Sequence, residues 1–396
     1  MIMKTILYIY HTSTIGGGSY CLLNILKTVD RSFVHPIVLL KENGPLVTEI
    51  EALNIPVYFL PTLSTVPYNV STFTPQKIKN AIRLIHSLSS YKSILREVNP
   101  DVVYVNTMML YPYLRPAKEM GIKTIIHVRE HWSKGEHEWQ RKTALKHIDT
   151  YADHIVAINS YSASMLDFSS KPKTIVYDWI DLSCRYKEIT LSTIFNEDMS
   201  NKRVYLYMGG MQAIKGAFEV LSSFSKIVTD PNARLLALGF CEQGYSKGWR
   251  GKIKKILTRF GFFPYTEKVM QIVKSDVRIK CIPGEYMINH IVQQAYCILS
   301  YFTIPHANLA LAESIILGTP SIAADTDESR EYSLGGELTS LFRINELSHF
   351  HEKIKQFDEL RPSLMKKIEV HSAEIAKMFD TDSNARLLNS IYKQID

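Results

Sequence analysis

The stretch Ala312-Glu313-Ser314-Ile315-Ile316-Leu317-Gly318-Thr319-Pro320-Ser321-Ile322-Ala323-Ala324-Asp325 decides how we interpret the second half of this chain. An apolar helical run carries one carboxylate, Glu313, and is followed by Gly318, a residue type that commonly ends helices. Thr319-Pro320 predicts a turn, and the apolar residues that follow predict a short buried strand. A carboxylate in apolar surroundings is costly unless it accepts hydrogen bonds. A vicinal diol such as a ribose would supply them, so Glu313 is a candidate nucleotide-binding residue.

Working outward from this stretch, short β-branched runs alternate with amphipathic runs in both halves of the chain. This alternation is typical of doubly wound parallel sheets with flanking helices. The predicted strands of the first half are 5–10, 34–40, 57–60, 102–105, 124–128, 154–158 and 174–177. Those of the second half are 204–208, 234–239, 278–282, 297–300 and 321–324. The tail from 383 to 395 predicts an amphipathic helix, because Leu387, Leu388 and Ile391 fall on one face.

The polar stretch 196–202 is the best candidate for a linker between two domains. A chain of 396 residues is long enough for two ordinary domains, each with its own core. We therefore predict an N-terminal Rossmann-like domain over 1–195 and a C-terminal Rossmann-like domain over 202–380. The last segment, 381–396, is predicted to be a helix that returns to the first domain.

The composition is that of a globular protein, with 46% hydrophobic and 21% charged residues. Five cysteines are dispersed without a CxxC spacing, which argues against a disulfide framework or a zinc site and favours a reducing, cytoplasmic compartment. The N-terminal apolar run is too short for a signal peptide, and no run of about 18 apolar residues predicts a membrane span.

The net charge of +7 is concentrated in two basic blocks, 76–96 and 247–263. No acidic residue occurs between Glu51 and Glu97, and the second block carries six cations around the apolar face of a predicted helix. Such helices suit an anionic membrane surface, although a core-facing helix with a solvated basic side explains the first block equally well. No nucleic-acid module accompanies either block, so we do not expect nucleic acid as a partner.

Two glycine-containing loops follow predicted strands. Gly16-Gly17-Gly18-Ser19 opens a helix after the first strand, where backbone amides and the helix dipole favour an anion. The dinucleotide pattern GxGxxG is absent because Cys21 stands in place of its third glycine, which argues against NAD. An ordinary tight turn is an equal alternative at this position. Met208-Gly209-Gly210 with Lys215 follows the first strand of the second half, and a solvated lysine is the alternative there.

These segments are similar to the donor-binding signature of the GT-B glycosyltransferases, specifically retaining family 4, and the resemblance covers essentially the whole chain. It implies an α/β protein with two Rossmann-like doubly wound parallel-sheet domains facing a central cleft. The implied activity moves a sugar from a nucleotide-sugar donor to a glycan or lipid-linked acceptor, in the synthesis of a cell-surface polysaccharide or glycoconjugate. No cofactor or metal is implied beyond the donor, and the implied location is the cytoplasm or the inner face of the cell membrane.

The resemblance also implies which residues bind the donor. Glycine loops and a lysine would contact the diphosphate, amides at a helix start would add to them, and a glutamate would bind the ribose. The implied residues are Gly17, Gly18, Gly209, Gly210, Lys215, Asn308, Leu309 and Glu313. Asp325-Thr326-Asp327 has the form of a metal-binding triplet, but it follows a strand at which GT-B proteins need no metal, so we interpret it as a solvated loop.

The segment His127-Val128-Arg129-Glu130-His131 ends a predicted strand of the first domain. Ligands of such sheets bind beyond the carboxyl ends of the strands. In family 4 a polar residue at this place contacts the sugar or the acceptor, and either His127 or Arg129 would take that role. His127, Arg129 and Glu130 are therefore the candidate catalytic residues. A surface cluster of salt bridges is the alternative.

The chain departs from the family pattern at three places. Gly210 stands where the family has an arginine, Pro305 stands where it has the first of two paired glutamates, and Asp327-Glu328 replaces a Gly-Gly turn. A further family glutamate is matched by Glu331. The departures motivate a second hypothesis, a catalytically impaired GT-B protein that serves as a binding or stabilising subunit. A sugar-nucleotide epimerase of similar architecture is a third hypothesis.

Overall fold

The computed structural model describes residues 3–66, 75–132, 134–135, 138–180, 187–240, 265–284 and 286–395. Side chains are described over the same ranges except at 75–81, 187–188 and 286–287. The chain divides into two compact units, one made of residues 1–181 and 378–396 and the other of 182–377. Each unit has a parallel sheet and its own hydrophobic core.

The first unit contains a seven-stranded sheet in the order β3-β2-β1-β4-β5-β6-β7, with every pair parallel. Its strands are β1 Lys4–Ile9, β2 Val34–Leu40, β3 Val57–Phe59, β4 Val102–Val105, β5 Lys123–Val128, β6 His154–Ala157 and β7 Lys173–Ile175. Near-continuous burial along β4, β5 and β6 is expected of a parallel sheet covered on both faces.

Helices cover both faces of this sheet. They are α1 Gly17–Thr28, α2 Pro45–Glu51, α3 Pro75–Val98, α4 Leu114–Glu119, α5 Glu138–Tyr151 and α6 Ser160–Ser164, with a 3₁₀ turn at Met108–Tyr113. One core, beneath α3, α4 and α5, includes Leu7, Val103, Ile126 and Ile155. The opposite core includes Tyr8, Tyr104 and Ile125 and lies beneath α1. Residues alternate between the two cores along each strand, as the two-residue period of a strand requires.

The second unit contains a six-stranded parallel sheet in the order β11-β10-β9-β13-β14-β15. Its strands are β9 Arg203–Tyr207, β10 Ala233–Leu238, β11 Ile279–Ile282, β13 Cys297–Ser300, β14 Ser321–Asp325 and β15 Ser340–Arg343. A separate parallel pair joins β8 Lys187–Glu188 to β12 Tyr286–Met287. The helices are α7 Leu191–Phe195, α8 Ala217–Ile227, α9 Tyr265–Ser275, α10 Asn289–Gln294, α11 Leu309–Ile316, α12 Asp327–Glu331 and α13 Leu347–Met378.

The last helix, α14 Thr381–Gln394, packs on the first unit. Leu388, Ile391 and Tyr392 are buried in the same core as Tyr8. The Lys4 ammonium also donates to the carbonyl of Ile395 at 2.9 Å, so the first strand binds the end of the last helix. This cation at a helix C-terminus is electrostatically favourable.

The polar stretch 196–202, which we predicted as a linker, follows α7 in the chain. Leu191 and Phe195 of α7 are buried with Val204 and Ile298, so the segment before the polar stretch belongs to the core of the second unit. The triplet 325–327 also differs from the expected solvated loop, because Asp327 begins α12 and the Thr326 side chain caps it. The basic block 247–263 lies outside the described residues.

Candidate functional site

Glu313 lies on α11, close to the carboxyl edge of the second sheet. Asn308 caps this helix by accepting from the Leu311 amide, and the helix ends at Ile316 before Gly318, whose φ is +81°. The Glu313 side chain is half-buried, and burial raises its pKa to about 7. Among the described residues, no side chain or amide donates a hydrogen bond to its carboxylate. Glu313 is therefore a partly buried acceptor whose carboxylate makes no hydrogen bond within the described part of the chain.

Asn308 is anchored from the neighbouring strand. The Ser300 hydroxyl, at the end of β13, donates to its Oδ1 at 3.1 Å, while its own Nδ2 is buried with no partner among the described residues. The side chain is only 1% exposed. Leu309 follows as the first residue of α11, so its amide belongs to the unbonded first turn of the helix. These two positions place donors at the helix start, as the resemblance implies for a phosphate contact.

Gly209 and Gly210 form a tight loop directly after β9. A Cβ at Gly209 would lie 2.1 Å from the Tyr207 hydroxyl, and Gly210 has φ +64° with its Cα close to the backbone of Gly239. The Gly210 amide donates to the Leu238 carbonyl, which joins this loop to the end of β10. An arginine at position 210 would need an uncommon left-handed backbone and a close approach to Gly239. The departure from the family pattern thus has a local structural reason.

Lys215 ends a 3₁₀ turn, Ala213–Lys215, that follows this loop. The Tyr207 hydroxyl donates to the carbonyls of Gly210 and Lys215, each at 3.0 Å, and so fixes both ends of the segment. The Thr303 amide donates to the Ile214 carbonyl, which joins the loops after β9 and β13. The Lys215 side chain is half-buried, and burial lowers its pKa. No described carboxylate forms an ion pair with its ammonium, so this cation remains available for an anion.

Glu328 is a buried carboxylate that the sequence did not single out. It lies in α12 after β14, is 1% exposed, and has a buried Oε2 without a partner in the described chain. Burial raises its pKa to about 7. Its neighbour Asp325 instead forms two contacts with the Arg330 guanidinium, at 2.6 and 2.7 Å. The only signal for Glu328 in the sequence was its place in the segment that replaces a Gly-Gly turn.

Gly17 and Gly18 form the first turn of α1, at the carboxyl edge of the first sheet. Gly16 caps the helix, and its carbonyl accepts from the amides of Ser19 and Tyr20. A Cβ at Gly18 would lie 2.6 Å from the Tyr10 hydroxyl, whereas one at Gly17 would meet nothing within 4 Å. A side chain at Gly18 would therefore displace the Tyr10 hydroxyl, while Gly17 leaves room beside the first-turn amides for another group.

His127 is a buried residue of β5, with a side chain 1% exposed. Its Nδ1 lies 2.8 Å from the Tyr104 hydroxyl, and its Nε2 is buried without a partner among the described residues. Burial, followed by the nearby Arg129 charge, holds its pKa well below the ordinary range, so the imidazole is neutral at physiological pH. His127 belongs to a packed aromatic group with Tyr104, which a resemblance between short motifs does not reveal.

Arg129 forms a buried ion pair. Its Nη2 lies 2.5 Å from Oδ2 of Asp178, and the two side chains are 9% and 7% exposed. Cys21 of α1 contacts both partners and is itself buried, which raises its thiol pKa above the ordinary range. The guanidinium is thus paired beneath the start of α1, and Asp178 was not predicted as its partner.

Glu130 caps the 3₁₀ turn that follows β4. Its carboxylate accepts from the Thr107 hydroxyl and from the Met108 amide, the latter at 2.8 Å. Burial raises its pKa despite these bonds. The structure therefore brings His127, Arg129 and Glu130 to the end of one strand, but engages each with a neighbouring element of the first unit.

Two further polar residues lie at this edge of the first sheet. His11 follows β1, and its buried Nδ1 has no described partner, while burial lowers its pKa to about 4. Asn106 follows β4 and is 0% exposed, with neither amide atom hydrogen-bonded within the described chain. Buried polar groups normally have partners, so this edge can accept a ligand or ordered water. A position directly after a strand was the only signal for either residue.

The described residues contain no group of three or more His, Cys, Asp or Glu side chains arranged to hold a metal ion. Within the same part of the chain, no helix has the length and apolar character to cross a membrane.

Two doubly wound parallel sheets of seven and six strands, with a last helix that returns to the first unit, define the GT-B fold. Anabaena HepE in complex with UDP and glucose superposes with a TM-score of 0.73 at 15% identity, covering 99% of this chain and 100% of that one. A glycosyltransferase from Rickettsia africae gives a TM-score of 0.68 at 15% identity, covering 99% and 98%. Sucrose-phosphate synthase from Thermosynechococcus elongatus gives 0.65 at 13% identity, with the same coverage. No protein-family model and no curated protein sequence matches the chain.

Proposed function

We propose that this protein is a retaining glycosyltransferase, similar to family 4, that transfers a hexose from a UDP-linked donor to a glycan or lipid-linked acceptor. The fold supports this proposal, because Anabaena HepE was solved with UDP and with UDP-glucose and superposes along the whole chain. In this reading the product is a cell-surface polysaccharide or glycoconjugate.

The observation that carries the proposal is the state of Glu313. A partly buried carboxylate, unpaired within the described part of the chain, lies on a helix at the carboxyl edge of a parallel sheet, where such folds bind nucleotides. The two ribose hydroxyls of a nucleotide would donate to it, and those bonds would favour the ionised form. We infer that donor binding lowers the Glu313 pKa and that the carboxylate selects a nucleotide over a free sugar phosphate.

Lys215 would stabilise the leaving group. Departure of UDP places negative charge on the diphosphate, and a fixed cation with first-turn amides at Asn308 and Leu309 lowers the energy of that charge. Burial lowers the Lys215 pKa, and a bound diphosphate would raise it again. We infer a front-face displacement in which the leaving diphosphate helps to deprotonate the acceptor, without a protein nucleophile.

The first unit would hold the sugar and the acceptor. We propose that His11 and Asn106, which have unused polar atoms, contact the substrate. His127, Arg129 and Glu130 would position this sheet edge rather than react, because each is engaged with a neighbouring element. Gly17 would admit the substrate next to the amides of α1.

We further infer that the protein acts in the cytoplasm at the inner face of the membrane. Ile82 and Ile85 of α3 are 64% and 70% exposed, and Arg83 between them is also exposed. Apolar side chains beside a cation suit an interfacial helix. Cosedimentation with anionic liposomes that survives the replacement of both isoleucines by serine would count against α3 as the contact.

Calorimetric titration with UDP and GDP tests the proposal, followed by donor hydrolysis with UDP-sugars. We expect UDP to bind the wild type, and Glu313→Gln to weaken binding about tenfold or more, since hydrogen bonds to a charged group are worth about 1.5–3 kcal/mol. The matched control is Glu337→Gln, an exposed glutamate of the same unit. Binding of neither nucleotide would favour the non-catalytic subunit, and product formed without acceptor would favour an epimerase.

A further inference from the structure

A groove on the first unit is lined by none of the residues proposed above to bind the donor. It lies between α5 and the segment that contains α6, has a volume of about 1180 Å³, and begins at His131 immediately beyond the end of β5. We call it the α5–α6 groove. Helices that connect parallel strands run back along the sheet, so the N-terminal end of α5 lies at the carboxyl edge. The groove is thus on the side of the first sheet where an acceptor is expected.

Part of the lining of the α5–α6 groove is apolar. Leu145 and Met165 line it and are 3% and 4% exposed, while Phe168 lines it with 62% of its side chain exposed. The Trp132 amide donates to the Met165 sulfur at 3.1 Å, which joins Met165 to the segment after β5. An exposed aromatic next to buried aliphatic groups is an unfavourable surface in water, and covering it with hydrocarbon would stabilise it.

The lining is also positively charged. Lys134, Lys142 and Lys146 line the groove, all three are exposed, and none has an ion-pair partner among the described residues. Lys142 and Lys146 are four residues apart on α5 and therefore lie on one face. The remaining charges of the groove cancel, because Arg141 and Glu138 form an ion pair at 3.2 Å.

Ring stacking and a hydrogen bond join the elements around the groove. The rings of His131 and Tyr161 stack with centroids 3.6 Å apart and an interplanar angle of 11°. The Arg141 guanidinium donates to the Trp132 carbonyl at 2.7 Å, which joins α5 to the end of β5. The Oε2 atom of Glu138, another residue that lines the groove, is buried without a partner in the described chain, so one hydrogen-bond acceptor remains unused there.

We propose that the α5–α6 groove binds the phosphate-bearing end of a lipid-linked acceptor. The phosphate would lie on the three lysines, the first part of the hydrocarbon chain on Leu145, Met165 and Phe168, and a donor group of the ligand would satisfy Glu138. The combination of exposed lysines with apolar side chains in one groove favours an anionic amphiphile over a neutral glycan. The assignment rests on the proposed glycosyltransfer, for which it supplies the class of acceptor.

The test is a titration of the full chain with four probes. Farnesyl phosphate carries both features, farnesol carries only the hydrocarbon, inorganic phosphate carries only the anion, and vesicles of phosphatidylglycerol offer a general anionic surface. We expect farnesyl phosphate to bind at least tenfold more tightly than farnesol or phosphate. Lys142→Gln/Lys146→Gln and Phe168→Ser should each weaken its binding about tenfold, while binding to the vesicles changes less than twofold.

The control variant is Lys366→Gln/Lys367→Gln, which removes two exposed lysines from α13 in the second unit and should bind like the wild type. UDP titrations of the same variants separate the two proposals. If the wild type binds UDP but not farnesyl phosphate, the groove assignment is overturned and the proposed donor site is not. The assignment is also overturned if inorganic phosphate binds as tightly as farnesyl phosphate. It is overturned as well if the groove variants lose as much affinity for the vesicles as for farnesyl phosphate. Farnesyl phosphate binding that depends on the lysines supports it even if UDP does not bind.

Discussion

The guanidinium of Arg129 and the carboxylate of Asp178 are 2.5 Å apart in a site from which water is almost excluded. The pair joins the residue after β5 to the segment after β7, and Cys21 places it against α1. A buried pair of this kind favours one arrangement of the three elements, because any arrangement that separates the charges leaves each unsolvated. The position of the first glycine loop therefore depends on residues distant in sequence.

Removing one partner of this pair should destabilise the first unit strongly. Arg129→Met leaves the Asp178 carboxylate buried and unpaired, and we expect a loss of about 3–5 kcal/mol. Urea unfolding followed by tryptophan fluorescence measures this, since Trp132 and Trp179 lie in the first unit. The double variant Arg129→Met/Asp178→Leu should recover most of the loss. A double variant no more stable than Arg129→Met would contradict the pairing as the cause.

Glu328 should make stability depend on pH. Its pKa is about 7 in the folded protein and about 4.5 when unfolded, so the folded state binds more protons between these values. The free energy of unfolding should therefore fall as the pH rises from about 4.5 to about 7. The contribution of one such group is about 3 kcal/mol.

Denaturation at several pH values checks this for wild type and Glu328→Gln. Glu313 has a similar shift and contributes the same trend to both proteins, so their difference isolates Glu328. We expect the stability advantage of the variant to grow across this range. Parallel pH profiles would show that Glu328 is solvated or paired in solution.

Lys215 should contribute to nucleotide binding only through its interaction with the diphosphate. We expect Lys215→Ala to weaken UDP binding about tenfold and to leave uridine binding unchanged, because a fixed ammonium interacts with the diphosphate charge. Calorimetry with both ligands measures the difference. Lys226→Ala on α8 is the matched control, since that lysine is exposed. Equal weakening of UDP and uridine would indicate a structural role for Lys215 instead.

Gly210 should resist substitution more than an open glycine with a similar backbone. Gly210 has φ +64° and a Cβ at that position would lie 3.1 Å from the Gly239 carbonyl oxygen, whereas Gly121 has φ +78° and open space around it. Both alanine variants carry the left-handed strain of about 1–2 kcal/mol, but only Gly210→Ala adds the contact. We expect the larger loss of thermal stability for Gly210→Ala. Equal losses of thermal stability in the two variants would mean that the loop after β9 shifts and relieves the contact with Gly239.

The periodicity of the chain predicted most strands well, because their buried apolar runs are bounded by turn residues. The strands at 34–40, 102–105 and 297–300 coincide with the observed β2, β4 and β13. The amphipathic pattern also predicted α14, and in the structure this helix packs on the first unit. The strand β15 and the long helix α13 were not predicted, and Pro362 interrupts the helical pattern of α13.

Sequence by itself predicted the two-sheet architecture, because short β-branched runs alternate with amphipathic runs along the chain. It also singled out Lys215 beside a glycine loop and Glu313 within an apolar helical run as candidate residues. Only the tertiary structure decided that Arg129 is paired with Asp178, that His127 is bonded to Tyr104, and that Glu328 is buried. The physical reason is that pairing and desolvation depend on side chains brought together from distant strands, and no spacing along the chain encodes which ones meet.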